Sequence, residues 1–141
     1  MSRRFDSPAD AEAAFYQAFR DLDLVAMEAV WDDELEPLCI HPAGVMMRGK
    51  ASIVQSWAEI FGRARPPVIE VHSGALTTTG DLVIHLVEEL IRPGDRPKCE
   101  STRLLSTNIF RRGRDGWRLL VHHASLPLVE GRSTPHQPLL H

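Results

Sequence analysis

The stretch Leu82-Val83-Ile84-His85-Leu86-Val87-Glu88-Glu89-Leu90-Ile91-Arg92, with Leu104-Leu105-Ser106-Thr107-Asn108-Ile109-Phe110 and Leu119-Leu120-Val121-His122-His123-Ala124 downstream, decides how this chain folds. Successive side chains of a strand point to opposite faces, so each run splits into two lists. Leu82-Ile84-Leu86-Glu88-Leu90, Arg103-Leu105-Thr107-Ile109-Arg111 and Trp117-Leu119-Val121-His123-Ser125 make one set. Val83-His85-Val87-Glu89-Ile91, Leu104-Ser106-Asn108-Phe110 and Leu120-His122-Ala124 make the other. An antiparallel sheet solvated on one side alternates apolar with polar, yet both sets are apolar in their middles. Both faces therefore ask for cover. One is expected to hold helices, and the other a second copy of the chain about a two-fold axis, giving a homodimer through the outer face of the sheet.

The turns around these runs are short. Gly80-Asp81, Pro93-Gly94-Asp95 and Gly113-Arg114-Asp115-Gly116 separate four predicted strands, about 68–79, 82–92, 99–112 and 117–126, and suit antiparallel neighbours. Upstream the period changes to that of helices. Ser7 is placed to cap, Pro8 to start and Asp10 to complement the dipole of a helix running to about Leu22, whose stripe is Ala11, Ala14, Phe15, Ala18, Phe19 and Leu22. Asp23 caps a shorter helix with Leu24, Met27, Val30 and Trp31. The segment Glu36 to Gly44 reads as a short strand ending in a turn, with 45–48 returning beside it. Gly49-Lys50-Ala51-Ser52 opens a third helix with Ile53, Trp57, Ile60 and Phe61 on one face and Gly62 as its stop. The expected organisation is an N-terminal arm over 1–7, one α+β domain over 8–127 and an extended tail over 128–141.

Composition agrees with a single soluble domain. The chain has 141 residues, 43% of them apolar and 25% charged, and a formal net charge of −3. At that length folding hides roughly 68–70% of the unfolded surface, so no disulfide or structural metal is required. The weakly acidic balance argues against nucleic acid as a partner. No apolar run reaches the roughly 20 residues of a membrane helix, and the opening turns acidic before a signal-peptide core forms, so a cytoplasmic protein off the membrane is expected. Cys39 and Cys99 are expected as reduced, strand-borne apolar residues.

The second strand set mixes its apolar members with His85, Glu89, Ser106, Asn108 and His122. Such groups are costly to bury unless they bond one another, water or a ligand. Two readings stand: a satisfied internal network, or an apolar pocket with a few convergent polar groups. In the pocket reading His85 or His122 is the general base, Glu89 its orienting carboxylate, and Asn108 a donor able to polarise a carbonyl. His85 and Glu89 lie on the order of 13 Å apart along one strand, so their pairing would need cross-strand neighbours. His41 before Pro42 and Trp57 on the third helix are further ligand-binding candidates, alongside turn and core roles. A metal site at His85, His122 and Glu89 or His41 is not required by the spacing, and no cofactor is expected.

Three local signatures accompany this order of elements: Cys39-Ile40-His41-Pro42-Ala43-Gly44 with Gly49-Lys50 and Trp57; Ser106 to Arg112; and Gly116 to Ser125. Together they resemble the nuclear transport factor 2-like superfamily, and within it the SnoaL-like domains, over about 8–127. The resemblance implies a cone: three N-terminal helices packed on a strongly curved mixed or antiparallel sheet enclosing a pocket, with dimers through the sheet. The last two strands also look like those of kinase association domains, which implies that Val87, Asn108 and Ala124 face the pocket. Superfamily enzymes use residues this chain lacks in place. Ketosteroid isomerase-like members pair a tyrosine with aspartates, but Tyr16 lies beside the helical stripe and strands 82–92 and 99–112 hold no Asp. The scytalone dehydratase-like and limonene-epoxide hydrolase-like sets do not map either. The functional expectation is a small-molecule-binding protein, with an isomerase, cyclase, dehydratase or hydrolase acting on an apolar carbonyl compound as one form. A non-catalytic ligand-binding or dimeric assembly module with the same pocket is the other.

Overall fold

The structure is a computed structural model that describes residues 3–127. Helices α1 (Pro8–Asp21), α2 (Leu24–Val30) and α3 (Lys50–Arg63) and strands β1 (Leu38–Ile40), β2 (Met46–Arg48), β3 (Pro67–Thr79), β4 (Leu82–Pro93), β5 (Thr102–Gly113) and β6 (Gly116–Ser125) follow in the order α1-α2-β1-β2-α3-β3-β4-β5-β6. One curved sheet of six strands, ordered β2-β1-β6-β5-β4-β3, carries the helices on one face. All neighbours are antiparallel except β1 and β6, which makes the sheet mixed. Ser7 caps α1 by accepting from the Asp10 amide, and Asp23 caps α2 by accepting from that of Ala26. Leu22 between them takes a left-handed conformation, φ 52°, which closes the first helix and turns the chain at once into the second.

The core lies between helices and sheet. Phe15 and Trp57 meet edge to face, with ring centroids 5.7 Å apart, and Met27, Val30, Trp31, Ile53, Phe110 and Leu119 close around them. Residue Phe5 of the expected arm is buried. It bridges to Gly116, its carbonyl accepts from the Trp117 amide at 2.8 Å, and the Arg118 guanidinium lies 5.1 Å over its ring. Asp32, also buried, accepts from the Glu34 and Leu35 amides and from Arg111, which in turn reaches Glu34, so the α2–β1 connection is fastened to β5.

Several expectations change here. Cys39 is buried on β1, but Cys99 is exposed in the connection before β5, which starts at Thr102 rather than at 99. Helix α3 runs through Gly62 to Arg63. The alternation expected along β6 breaks at its start. Ile109 pairs with Val121 but Phe110 with Leu119, so Leu120 is an extra residue and Leu119 joins the core with 0% exposure. A second irregularity, between Ser73 and Ala75, leaves Gly74 unpaired in the register of β3 with β4. No helix of the described residues is long and apolar enough to cross a membrane.

Candidate functional site

The strand pairings place one polar row across the helix-facing side of the sheet. His85 lies opposite Asn108, Asn108 opposite His122, and His122 opposite Cys39. Helix α1 lays Glu12 and Tyr16, one turn apart, along this row. The chemistry of the groups gives most of these hydrogen bonds their direction.

The Glu12 carboxylate only accepts, so His85 donates Nδ1–H to it, at 2.9 and 2.8 Å from its two oxygens. In neutral imidazole that leaves Nε2 as an acceptor, and the Ser73 hydroxyl donates to it at 2.8 Å. Asn108 gives its amide hydrogens to Glu12 at 3.1 Å and to the Tyr16 oxygen at 3.0 Å. Its carbonyl oxygen accepts from His122 Nδ1 at 2.6 Å. The Tyr16 hydroxyl donates to Glu89 at 2.5 Å. The result is one network from Ser73 at the sheet edge to His122 in the core.

Exposure divides the network in two. Tyr16, Glu89, Asn108 and His122 are buried, the last two at 0% and 3%. Burial pushes the Glu89 carboxyl up, against the pull of the Tyr16 and Ser106 hydroxyls, and Glu12 adds repulsion. The Ser106 hydroxyl itself has no partner in hydrogen-bond geometry among the described residues. Burial and the neighbouring Glu89 drive the Tyr16 hydroxyl far above its ordinary range. Burial, followed by the charges of His41 and His123, pushes His122 down to about 3, so it stays neutral. At the other end the side chains of His85 and Glu12 keep 12% and 16% exposure, and Ser73 is exposed. A cavity of about 80 Å³, lined by Pro8, Ala9, Glu12, Leu76, Val83, His85 and Phe110, opens beside them.

His41 and Trp57 occupy a separate corner. Ser56 gives its proton to the Ile53 carbonyl at 2.7 Å and so accepts from His41 Nε2 at 2.9 Å. The His41 ring stands edge-on to Trp57 at 4.8 Å, and burial lowers its pKa. Trp57 is 2% exposed, and its indole N–H has no hydrogen-bond partner among the described residues.

Of the residues singled out in the sequence, the structure brings His85, Asn108, His122 and Glu89 into one network and leaves His41 and Trp57 beside it. Glu89 does not orient His85; it bonds Tyr16. The carboxylate at His85 is Glu12, and the hydroxyl on its other nitrogen is Ser73. The signal for Glu12 was its four-residue spacing from Tyr16, on the helix flank next to the apolar stripe. That for Ser73 was its place on the inner side of β3, which the bulge at Gly74 keeps in line with His85.

A family model described as the SnoaL-like domain matches residues 9–129. A calcium/calmodulin-dependent protein kinase type II association domain from Thiobacillus denitrificans, so named, is 35% identical, with TM-score 0.81 over 89% of this chain and 98% of that one. A protein from Streptomyces avermitilis, named as a dehydratase of the NTF2-like family, is 28% identical, with TM-score 0.76 over 84% and 92%. A ketosteroid isomerase-like protein from Erwinia carotovora atroseptica, 15% identical with TM-score 0.65 over 83% of this chain and 91% of that one, shares the fold. Among curated proteins, the F-box protein SKIP8 of Arabidopsis thaliana is 25% identical over 116 residues, 82% of this chain. The chain spans about half the length of that relative, 48%.

Proposed function

The chain belongs to the SnoaL-like domain family, and from that premise we propose that it is a small-molecule acid–base enzyme with His85 as general base, working on the carbonyl compounds expected above. The observation that carries this is the Glu12–His85 contact, 2.8 Å, at the rim of an apolar cavity. Glu12 holds the imidazole with Nε2 bare of hydrogen and stabilises the imidazolium that forms when Nε2 takes a proton. The Ser73 hydroxyl, 2.8 Å from Nε2, marks where a substrate proton would sit. Asn108 fixes Glu12 from behind. His122 anchors Asn108 and takes no proton itself. The similarity to a protein named as a dehydratase agrees with proton-transfer chemistry.

The cavity bounds the substrate. At about 80 Å³ it is near half of the roughly 150 Å³ that admits a benzene ring, so it takes the reacting end of a compound while the rest lies along the exposed edge of β3. The test is deuterium uptake from D₂O by a panel of short ketones and enones. Wild type is expected to exchange protons next to the carbonyl, and His85→Gln to lose about 10²- to 10⁴-fold in rate. Wild-type exchange no faster than buffer overturns the reading.

The second reading is a non-catalytic binding or assembly module. It is favoured by the 35% identity to a protein named as an association domain. In either case the outer face, where Leu86 and Leu105 remain 45% and 44% exposed, is our proposed homodimer interface.

A further inference from the structure

Ser73, His85 and Glu12 stand in the order nucleophile, base, carboxylate, and we infer that Ser73 is a nucleophile for acyl transfer from short-chain esters or thioesters. This rests on His85 acting as the base proposed above, and adds a covalent step to it. The arrangement is recognised by its geometry rather than by chain position: a hydroxyl on imidazole Nε2 at 2.8 Å, and a carboxylate on Nδ1 at 2.8 and 2.9 Å. The three residues come from β3, β4 and α1, so no sequence motif announces them.

Access differs along the array as such chemistry needs. Ser73 is exposed on an edge strand, while the His85 and Glu12 side chains are 12% and 16% exposed, so the acyl group reaches the hydroxyl and the charge formed behind it is shielded from water. The bulge at Gly74 makes the alignment. A regular strand would keep Ser73 and Leu76 on opposite faces; with one extra residue both face the helices, Ser73 beside Val87 and Leu76 beside His85. Glycine suits the bulge because a Cβ there would come 3.0 Å from the Leu86 carbonyl oxygen. The apolar cavity beside His85, walled by Pro8, Ala9, Leu76, Val83 and Phe110, takes a short acyl chain.

In the step, Ser73 Oγ attacks the acyl carbonyl as His85 Nε2 takes the hydroxyl proton, with Glu12 stabilising the imidazolium. The alcohol or thiol departs with that proton, leaving acyl-Ser73. Water then attacks the ester, again giving its proton to His85, which returns it to Ser73 as the carboxylic acid leaves. Ester and water are consumed, and acid and alcohol are formed.

The experiment treats the full chain with an alkyl fluorophosphonate and locates the adduct by mass spectrometry of peptides. One adduct at Ser73 is expected, absent from Ser73→Ala, with labelling about 10²- to 10⁴-fold slower in His85→Gln, where the hydroxyl remains but its base is gone. A burst of p-nitrophenol from p-nitrophenyl acetate, equal to the protein present, is the second readout. No adduct, an adduct elsewhere, or equal labelling of His85→Gln overturns the inference. If ketone exchange still depends on His85 in that event, the acid–base reading stands and only the acyl step falls; loss of both signals in wild type removes both.

Discussion

His122 provides a test of the buried half of the network that needs no substrate. Unfolded, its imidazole titrates near the ordinary value of 6.5; folded, burial pushes it down to about 3. A depressed histidine leaves the unfolded chain holding the extra proton, so stability is fully present above 6.5 and is lost as pH falls from there toward 3. Integrated from about pH 7.5 to about pH 5, the loss attributable to this one group is about 2 kcal/mol, since each unit of separation carries about 1.4 kcal/mol. The assay is equilibrium urea unfolding of wild type and His122→Gln at both pH values. The glutamine can still donate to the Asn108 carbonyl but cannot titrate. Its own cost, equal at both pH values, cancels in the comparison, as do the contributions of groups that do not interact with His122. Wild type should lose about 2 kcal/mol more than the variant. Equal losses would refute the reasoning, because His122 would then be protonated alike in both states.

Three further predictions concern stability and assembly. Tyr16→Phe keeps the ring in its packing but strips Glu89 of its partner and Asn108 of one acceptor, so unfolding free energy should fall by about 2–3 kcal/mol, read as a lower urea midpoint at unchanged slope. Gly116→Ala should cost about 2 kcal/mol or more in the same assay, because Gly116 sits at φ +94° and a Cβ would come 2.5 Å from the Phe5 carbonyl oxygen. Leu86→Glu with Leu105→Glu should convert the proposed dimer to monomer in sedimentation equilibrium while leaving the far-ultraviolet circular dichroism unchanged.

The elements were legible where a period repeats undisturbed. The stripes of α1 and α3 placed Phe15 and Trp57 on the buried side, and the alternation of β4 and β5 put Val87, Asn108 and Phe110 on one face, which the family resemblance made the inner one; all five lie buried. Alternation failed where strands carry an extra residue. Leu119 and Leu120 exchange roles because of one bulge, and nothing in a run of two leucines states which of them is surplus. The site was half legible for a related reason. His85, Asn108 and His122 share a face and could be grouped from parity alone, whereas their partners come across elements. Glu12 reads in sequence as one more charge on a helix flank, and Ser73 as one more small residue of an edge strand. Glu89 is assigned to Tyr16 rather than to His85 by strand rise: four residues along β4 separate it from His85, while helix α1 brings a carboxylate and a phenol over both positions.

The proposed chemistry depends on His85 being held by Glu12 as the Nδ1–H tautomer with Nε2 facing Ser73. Long-range proton–nitrogen correlation NMR of uniformly ¹⁵N-labelled protein, with His85→Gln to assign the signals, measures this directly. The prediction is a protonated Nδ1, its proton shifted downfield by the carboxylate, and an unprotonated Nε2, with that pattern lost in Glu12→Gln. A His85 ring carrying its proton on Nε2, or exchanging freely between tautomers in wild type, would contradict it.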